Sequence, residues 1–207
     1  MGGVRPGVSY DGRVATTDHR ASLRRVLDPD PRPALPPGNR SAAVLALLIE
    51  IPEPALLFTE RSAELHRHPG EVSFPGGLRD PDDADLLATA LRETQEEIGL
   101  EPDLPDVLGA LPSVHTVVSS IVVTPFVAAV AELPTLRQSE AEIARILTVP
   151  IPVLARTEER RALDLGGGRG WTGWTYPVAG TTIWGATGAM LHALLELLRT
   201  ETAWATR

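Results

Sequence analysis

The sequence predicts a single α+β or α/β domain in which a mixed β-sheet is sandwiched between helices. Segments with strand and helix patterns are interleaved along the chain without a strict β-α-β alternation, and no internal repeat is present. The chain has 207 residues, a length typical of one domain, and a chain of this size buries roughly 70% of its unfolded surface. It therefore needs neither a metal ion nor a disulfide to fold, and a bound metal is expected to serve chemistry.

The chain is predicted to have three parts: a leader at residues 1–39, the domain at 40–200 and a tail at 201–207. The leader is rich in Pro, Gly and Arg, which predicts partial order, with one short helix near Ala21–Leu27. Prolines recur between residues 29 and 37, and they favour a loosely attached connection to the domain.

The domain begins with two apolar runs of strand length. Ala42–Ile51 and Ala55–Glu60 are separated by a proline-containing turn, which predicts a hairpin. The segment His66–Gly70 is typical of a loop. A short strand is predicted at Glu71–Phe74, and it ends at Pro75-Gly76-Gly77.

The strongest helix pattern in the chain covers Asp83–Ile98. Apolar residues recur there at helical spacing, and Asp82 or Asp83 is available as the N-cap. Gly99 follows as the C-terminal stop. Both ends of this helix therefore carry residues suited to its free backbone groups.

The second half of the domain predicts further strands and helices. In order these are strands at Val107–Leu111 and Ile121–Ala131, a short helix at Glu140–Leu147, an extended stretch at Thr148–Leu154, a hairpin of Arg161–Leu165 and Thr172–Val178 around Gly166–Gly168, and a helix at Ala186–Arg199. The last helix is amphipathic, with a buried stripe formed by Leu191, Leu194, Leu195 and Leu198.

Composition and charge exclude several classes of protein. Cysteine is absent, which excludes disulfides, thiolate zinc sites and thiol nucleophiles, and is typical of a cytoplasmic protein. All 19 basic residues are arginine, so a Schiff-base or P-loop lysine is excluded. The net charge of −8 disfavours nonspecific binding to nucleic acid. The longest apolar run, Ala42–Ile51, is too short to cross a bilayer, so a membrane is not an expected partner either.

One face of the Asp83–Ile98 helix carries three carboxylates. Glu93, Glu96 and Glu97 fall within an arc of about 100°, opposite the apolar face. Like charges at this spacing destabilise a helix by roughly 0.2–0.5 kcal/mol each, and the helix dipole adds to the penalty near the C-terminus. A hard divalent cation such as Mg²⁺ or Mn²⁺ would offset the repulsion; an ordinary solvated acidic face is the alternative.

The segments on either side of this face favour the metal. Gly76-Gly77 precedes the helix and allows backbone to approach a ligand closely, and Gly99-Leu100 follows it. With Arg92-Glu93 and Glu96-Glu97 between them, this order resembles the signature of the Nudix hydrolases. That signature is Gly, five residues, Glu, seven residues, Arg-Glu-apolar-x-Glu-Glu-x-Gly-apolar.

The chain departs from the general signature in three places. The spacing from Gly77 to Arg92 is one residue longer, and Ala84 stands at the position of the first Glu, next to Asp83. Thr94 replaces the usual apolar residue. The coenzyme A pyrophosphatase branch of the family has the longer spacing with an Asp, so the first departure favours that branch.

A second match resembles the same branch. Leu56–Ser62, Gly70 and Phe74–Gly77 are similar to the coenzyme A signature upstream of the helix, in which His66 takes the position of the second arginine. Downstream, Val123–Phe126, Val149-Pro150 and Ile183–Thr187 also look like this branch. The resemblance covers about residues 40–200.

The resemblance implies hydrolysis of coenzyme A or its derivatives to 3′,5′-ADP and 4′-phosphopantetheine, with Mg²⁺ or Mn²⁺ as cofactor. It implies that Glu93, Glu96, Glu97 and the carbonyl of Gly77 hold the ions. Glu93, Glu96 and Arg92 form the expected catalytic set, with Arg92 orienting a glutamate. The general base is left open between a glutamate of this set and a late-loop glutamate, Glu140 or Glu142, which are equally well explained as surface charge.

Substrate binding is expected from the glycine pair Gly76-Gly77 and from three residues upstream of it. Arg61 and Arg67 are candidates for phosphate contacts, because a guanidinium can bind phosphate as a fork; two ordinary surface arginines are the alternative. His66 is a candidate substitute for the arginine of the branch. Metal binding by His66 and His68 is disfavoured, since the carboxylates already supply a site for hard cations.

Several alternatives stay open at this stage. Trp171, Trp174, Tyr176 and Trp184 are close in sequence, and core packing explains them better than stacking on an adenine. The substrate could instead be ADP-ribose, a dinucleoside polyphosphate or another nucleotide conjugate, or the chain could be a Nudix-fold module that binds a nucleotide without hydrolysis. A homodimer is also open, because many hydrolases of this superfamily are dimers.

Overall fold

The structure is a computed structural model that describes residues 16–64, 69–116, 120–164, 170–202 and 204. Within these ranges the chain forms a mixed sheet with helices on both faces, which confirms the predicted fold class. In chain order the elements are α1 (Thr16–Val26), β1 (Arg40–Ile49), β2 (Ala55–Arg61), β3 (Val72–Ser73), β4 (Gly76–Leu78), α2 (Leu86–Ile98), β5 (Asp106–Ala110), β6 (Val114–His115), β7 (Ile121–Val130), β8 (Ile143–Pro150), α3 (Ile151–Thr157), β9 (Glu159–Asp164), β10 (Gly170–Val178), β11 (Thr181–Ile183) and α4 (Gly185–Glu201).

The sheet is built on β1, which runs parallel to β7 over the whole length of both strands. The predicted hairpin of β1 and β2 is confirmed, but the two strands pair only next to their turn, at Leu48↔Leu56 and Ile49↔Ala55. Beyond that point they separate. β3 then pairs with β2, and β4 pairs with β1. The opening between β1 and β2 is therefore where Gly76 and Gly77 join the sheet.

Alternating side chains of β1 enter two separate hydrophobic clusters. Ala43, Leu45 and Leu47 pack on the side of α2, whereas Val44 and Ala46 pack on the side of α4. This alternation is what a strand with both faces covered requires. The predicted stripe of α4 is confirmed, since all four of its leucines are fully buried.

The leader helix α1 is packed onto the domain. Leu23 and Leu27 are buried in the cluster on the α4 side, and the Arg20 guanidinium holds the carboxylate of Glu50 with two hydrogen bonds of 3.0 and 2.5 Å. A third bond of 3.1 Å joins Arg20 to Asp106. The predicted helix near residues 21–27 is present, and it begins five residues earlier. The expectation of a loosely attached leader is wrong for this helix, because its leucines are buried in the domain.

Replacing Arg20 by Ala is expected to destabilise the protein by about 3 kcal/mol, because it leaves the Glu50 carboxylate buried without its partner. The Glu50 side chain is 1% exposed. The matched control is Arg24→Ala, which removes only an exposed ion pair with Asp106 and should cost less than about 1 kcal/mol. Urea unfolding of both variants measures the difference, and equal losses would contradict the anchoring role of Arg20.

Two predictions for residues 140–154 are wrong. Residues 143–150 form strand β8, which pairs with β2 along its length, and not the helix predicted at Glu140–Leu147. Ile143 and Leu147 are both buried, and a spacing of four residues fits a strand as well as a helix, so pairing with β2 decides the structure. Beyond Pro150 the predicted extended stretch is helix α3, with a proline in its first turn.

The predicted hairpin near the C-terminus is confirmed as β9 and β10, which pair from Gly170↔Asp164 to Thr175↔Glu159. Its predicted turn, Gly166–Gly168, lies outside the described residues. Within the part of the chain that the structure describes, no helix is long and apolar enough to cross a membrane.

Candidate active site

The helix α2 presents the acidic face, and its two ends are fixed by capping. Asp85 is the N-cap, and its side chain accepts a hydrogen bond of 2.8 Å from the Ala88 amide. The predicted N-caps, Asp82 and Asp83, lie before the helix. Gly99 ends it in the left-handed conformation and donates to Gln95, as predicted.

The carboxylate of Glu97 is buried where α2 meets the glycine pair. The residue is 3% exposed, and its Oε2 accepts a hydrogen bond of 3.2 Å from the Gly76 amide. A nitrogen of Arg61 lies 3.8 Å from its Oε1. Burial outweighs these two interactions and raises the pKa of Glu97 to about 7. The site thus contains a carboxylate whose negative charge is not fully compensated.

Glu93 lies directly against the backbone of β4. A Cβ atom added to Gly77 would lie 2.7 Å from the Oε1 atom of Glu93 and closer still to its Oε2 and Cδ atoms. Only glycine therefore leaves room for this carboxylate in its present position. Burial also raises the pKa of Glu93, although the neighbouring Arg92 opposes this shift. Glu93 and Glu97 share the opening of the sheet with the peptide groups of Gly76 and Gly77.

Arg92 connects the acidic residues of the site. Its guanidinium contacts Glu93 and Glu96 at 3.0 Å each and binds Asp83 as a fork, at 2.9 and 3.0 Å. The Arg92 guanidinium holds the pKa of Asp83 well below its ordinary value, and the Thr89 hydroxyl donates a further bond of 2.8 Å to Asp83. Asp83 was predicted as an N-cap, and the structure instead places it as a partner of Arg92.

A late loop brings a further carboxylate to the site. Glu142 is among the charges that raise the pKa of both Glu93 and Glu97, whereas Glu140 is not among the main ones. The carbonyl of Glu142 accepts a 2.8 Å bond from the Ser62 amide at the end of β2. Of the two candidate late-loop glutamates, Glu142 is the one whose backbone is bonded next to Arg61 and whose charge acts on Glu93 and Glu97.

The donor types fit a hard divalent cation: three carboxylates together with a glycine backbone that approaches one of them without a side chain between. Within the described ranges, however, no three acidic or histidine side chains converge into a ready coordination sphere. Arg92 draws Glu93 and Glu96 to itself, and Gly76 and Arg61 hold Glu97. Binding an ion would require these carboxylates to exchange their present partners.

Other predicted residues lie away from the acidic face or outside the described residues. His66, Arg67 and His68 belong to the second group, as does the side chain of Trp171. Trp174 is stacked on the ring of His192 at a centroid distance of 3.9 Å. The fully buried Tyr176 donates a hydrogen bond of 2.7 Å to Glu158. Tyr176 belongs to the hydrophobic cluster that contains the leucines of α4, and Trp174 packs against that cluster, in agreement with the prediction of a structural role.

The chain is similar to proteins of one family. Residues 39–164 match the NUDIX domain. The uncharacterized Nudix hydrolase NudL of Cronobacter sakazakii is 38% identical over 161 residues, covering 76% of this chain and 82% of the relative. The NudL of Klebsiella pneumoniae subsp. pneumoniae is 35% identical over 187 residues, covering 88% of this chain and 94% of the relative.

The fold is similar to those of solved Nudix proteins. RenU, a Nudix hydrolase from M. smegmatis, superposes with a TM-score of 0.56 at 21% identity, covering 78% of this chain and 87% of that one. A MutT/nudix family protein from Enterococcus faecalis gives a TM-score of 0.52 at 13% identity, covering 91% of this chain and 71% of that one. The domain match and the sequence relatives establish that the chain belongs to the Nudix hydrolase family, whose members cleave diphosphate bonds in nucleoside diphosphate conjugates.

Proposed function

We propose that the protein hydrolyses the diphosphate bond of coenzyme A or its derivatives, releasing 3′,5′-ADP and 4′-phosphopantetheine or its acylated form. The observation that carries the proposal is the buried Glu97 carboxylate beside Glu93, at the glycine pair where β1 and β2 separate. The similarity of Leu56–Ser62 and Phe74–Gly77 to a coenzyme A signature supports the choice of substrate.

The proposed metal ligands are Glu93, Glu96, Glu97 and the carbonyl of Gly77. Nudix hydrolases generally require a divalent ion, and Mg²⁺ or Mn²⁺ fits an all-oxygen donor set. When bound, such an ion neutralises charge on the phosphoryl oxygens and lowers the pKa of a coordinated water. The positive charge also compensates the buried carboxylates, whose pKa values burial raises.

The arginines of the site are proposed to have separate roles. Arg92 is enclosed by Asp83, Glu93 and Glu96, so it orients the glutamates and does not contact substrate. The side chain of Arg61 is 28% exposed and reaches the same opening, which suits a phosphate contact. The proposed substrate contacts of His66 and Arg67 rest on the sequence pattern alone.

Glu142 is proposed as the general base that accepts a proton from the attacking water. Replacing Glu142 by Gln is expected to lower kcat about 10²-fold, since general base catalysis contributes at least this much. The matched control is Glu140→Gln in the same loop, which should stay within about twofold of the wild type. Steady-state kinetics measures both variants. Equal activity of the Glu142→Gln variant and the wild type would exclude Glu142 and leave the base among the α2 glutamates.

A substrate panel tests the choice of coenzyme A. The protein is incubated with coenzyme A, an acyl-coenzyme A, ADP-ribose or a dinucleoside polyphosphate in the presence of Mg²⁺ or Mn²⁺, and the products are separated by chromatography. We expect 3′,5′-ADP from coenzyme A and its acyl form at the highest rate. Faster turnover of ADP-ribose would contradict the coenzyme A assignment and agree with His66 replacing the arginine of that branch. No turnover of any substrate would favour a nucleotide-binding module.

A further inference from the structure

The loop between β7 and β8 is tied to the last turn of α2 through its backbone. The amide of Arg137 donates to the carbonyl of Ile98 at 2.9 Å, and the amide of Ser139 donates to the carbonyl of Glu97 at 2.8 Å. The last carbonyls of a helix have no partner within the helix, so they are natural acceptors for such a loop. Ser139 thereby contacts the backbone of the most deeply buried glutamate of the site.

The same residue also fixes the backbone of Glu142. The carbonyl of Ser139 accepts hydrogen bonds from the amides of Glu142 at 3.0 Å and Ile143 at 2.8 Å. On its far side, Glu142 accepts the bond from the Ser62 amide. The residue proposed as general base is thus held between the end of α2 and the end of β2.

These bonds act against an electrostatic force. Glu93, Glu97 and Glu142 are all carboxylates, and like charges close to one another repel. A loop free to move would carry the exposed Glu142 side chain away from the acidic face. The bonds through Ser139 oppose that movement.

We propose that Ser139 is a positioning residue: its peptide amide and carbonyl connect Glu97 to Glu142 and hold Glu142 at the acidic face. This inference rests on the proposed role of Glu142 as general base. The functional part of Ser139 is its backbone, so the role requires the peptide N–H group at this position and not the serine side chain.

Proline and alanine substitutions separate the backbone from the side chain. Ser139→Pro removes the N–H group that bonds to Glu97, whereas Ser139→Ala retains it. We expect kcat of the proline variant to fall about 30-fold with KM within about threefold, and the alanine variant to stay within about twofold of the wild type. Ser139→Gly keeps the amide but makes the loop more flexible, and its kcat should fall about fivefold. This variant provides a test of intermediate strength if the proline variant does not fold.

A double-mutant cycle tests whether Ser139 acts through Glu142. In a Glu142→Gln background, Ser139→Pro should lower kcat less than threefold further, because the residue that it positions is already absent. A full 30-fold loss in that background would overturn the proposal. If Glu142→Gln alone leaves kcat unchanged, the positioning role is overturned as well. The metal-dependent hydrolysis proposed for the site is tested separately by the substrate panel.

Amide hydrogen exchange provides a readout that does not depend on turnover. The Glu142 and Ile143 amides should be protected in the wild type and in Ser139→Ala, and should exchange at least tenfold faster in Ser139→Pro. Unchanged exchange in the proline variant would contradict the proposed connection. Affinity for Mn²⁺, measured by electron paramagnetic resonance, should stay within about threefold in both variants, since the proposed metal ligands are untouched.

Discussion

Replacing Glu97 by Gln is expected to lower the rate of diphosphate hydrolysis about 10³-fold and, at the same time, to stabilise the metal-free protein. A rate loss of this size corresponds to about 4 kcal/mol of transition-state stabilisation, which is within the range that a metal ligand controls. Glutamine keeps the size of the side chain and an oxygen that accepts the bond from the Gly76 amide. It lacks the charge that a divalent cation requires.

The gain in stability follows from the raised pKa of Glu97. Folding moves this pKa from its ordinary value of 4.5 to about 7, so the ionised carboxylate favours the unfolded chain. The metal-free wild type therefore loses stability as the pH rises from about 4.5 to about 7, and this loss persists above pH 7. A neutral glutamine avoids it. At about 1.4 kcal/mol per pH unit, the variant should be more stable by about 3 kcal/mol at pH 8 and by less than about 1 kcal/mol at pH 5.

Urea unfolding in the presence of a chelator, at pH 5 and pH 8, measures this effect. The matched control is Glu101→Gln, the same chemical change at an exposed residue just after α2, which should alter neither activity nor stability appreciably. Addition of Mg²⁺ should stabilise the wild type and leave the Glu97→Gln variant nearly unchanged. A variant less stable than the metal-free wild type at pH 8 would contradict the account of an uncompensated buried charge.

Replacing Gly77 by Ala is expected to reduce kcat/KM by about 10³-fold while the fold is retained. The added Cβ atom would overlap the Glu93 carboxylate, which must then move away from β4. The substitution therefore displaces the Glu93 carboxylate and disturbs the backbone carbonyl of Gly77, and both of these groups are proposed metal ligands. Displacements of about 1 Å at a reacting centre already cost on the order of 10²-fold, and here two ligands are affected together.

Gly170→Ala is the control for the glycine substitution. At Gly170 no described atom lies within 4 Å of the position of an added Cβ, so activity and Mn²⁺ affinity should be unchanged. The Gly77→Ala variant should bind Mn²⁺ at least tenfold more weakly in an electron paramagnetic resonance titration. Wild-type affinity in that variant would mean that the contact between Glu93 and Gly77 is not part of the metal site.

Local patterns in the sequence were sufficient to predict the elements that build the site. The helix α2 followed from its apolar spacing and from Gly99, and the strand pair β1–β2 from two apolar runs separated by a proline-containing turn. The acidic face followed from the spacing of Glu93, Glu96 and Glu97, which is set by the helix alone. Such features depend on residues that are close in the chain.

Features that depend on distant residues were not predictable in this way. Asp82 and Asp83 were predicted as N-caps, but Asp85 caps the helix. Arg92 binds Asp83 from inside the helix, a contact that local spacing did not reveal. The apolar residues of β8 have a spacing that fits a helix as well as a strand, and pairing with β2 favours the strand. The approach of Glu142 to the acidic face likewise depends on hydrogen bonds between the late loop and α2.

Glu97 and its neighbours are proposed to hold a divalent ion for hydrolysis of coenzyme A. Chromatographic detection of 3′,5′-ADP from coenzyme A tests this, with the wild type and the Glu97→Gln variant each given Mg²⁺, Mn²⁺ or a chelator. We predict that the product forms only with a divalent ion and with Glu97 intact. Formation of 3′,5′-ADP by the wild type in chelator, or by the variant at the wild-type rate, would contradict the account.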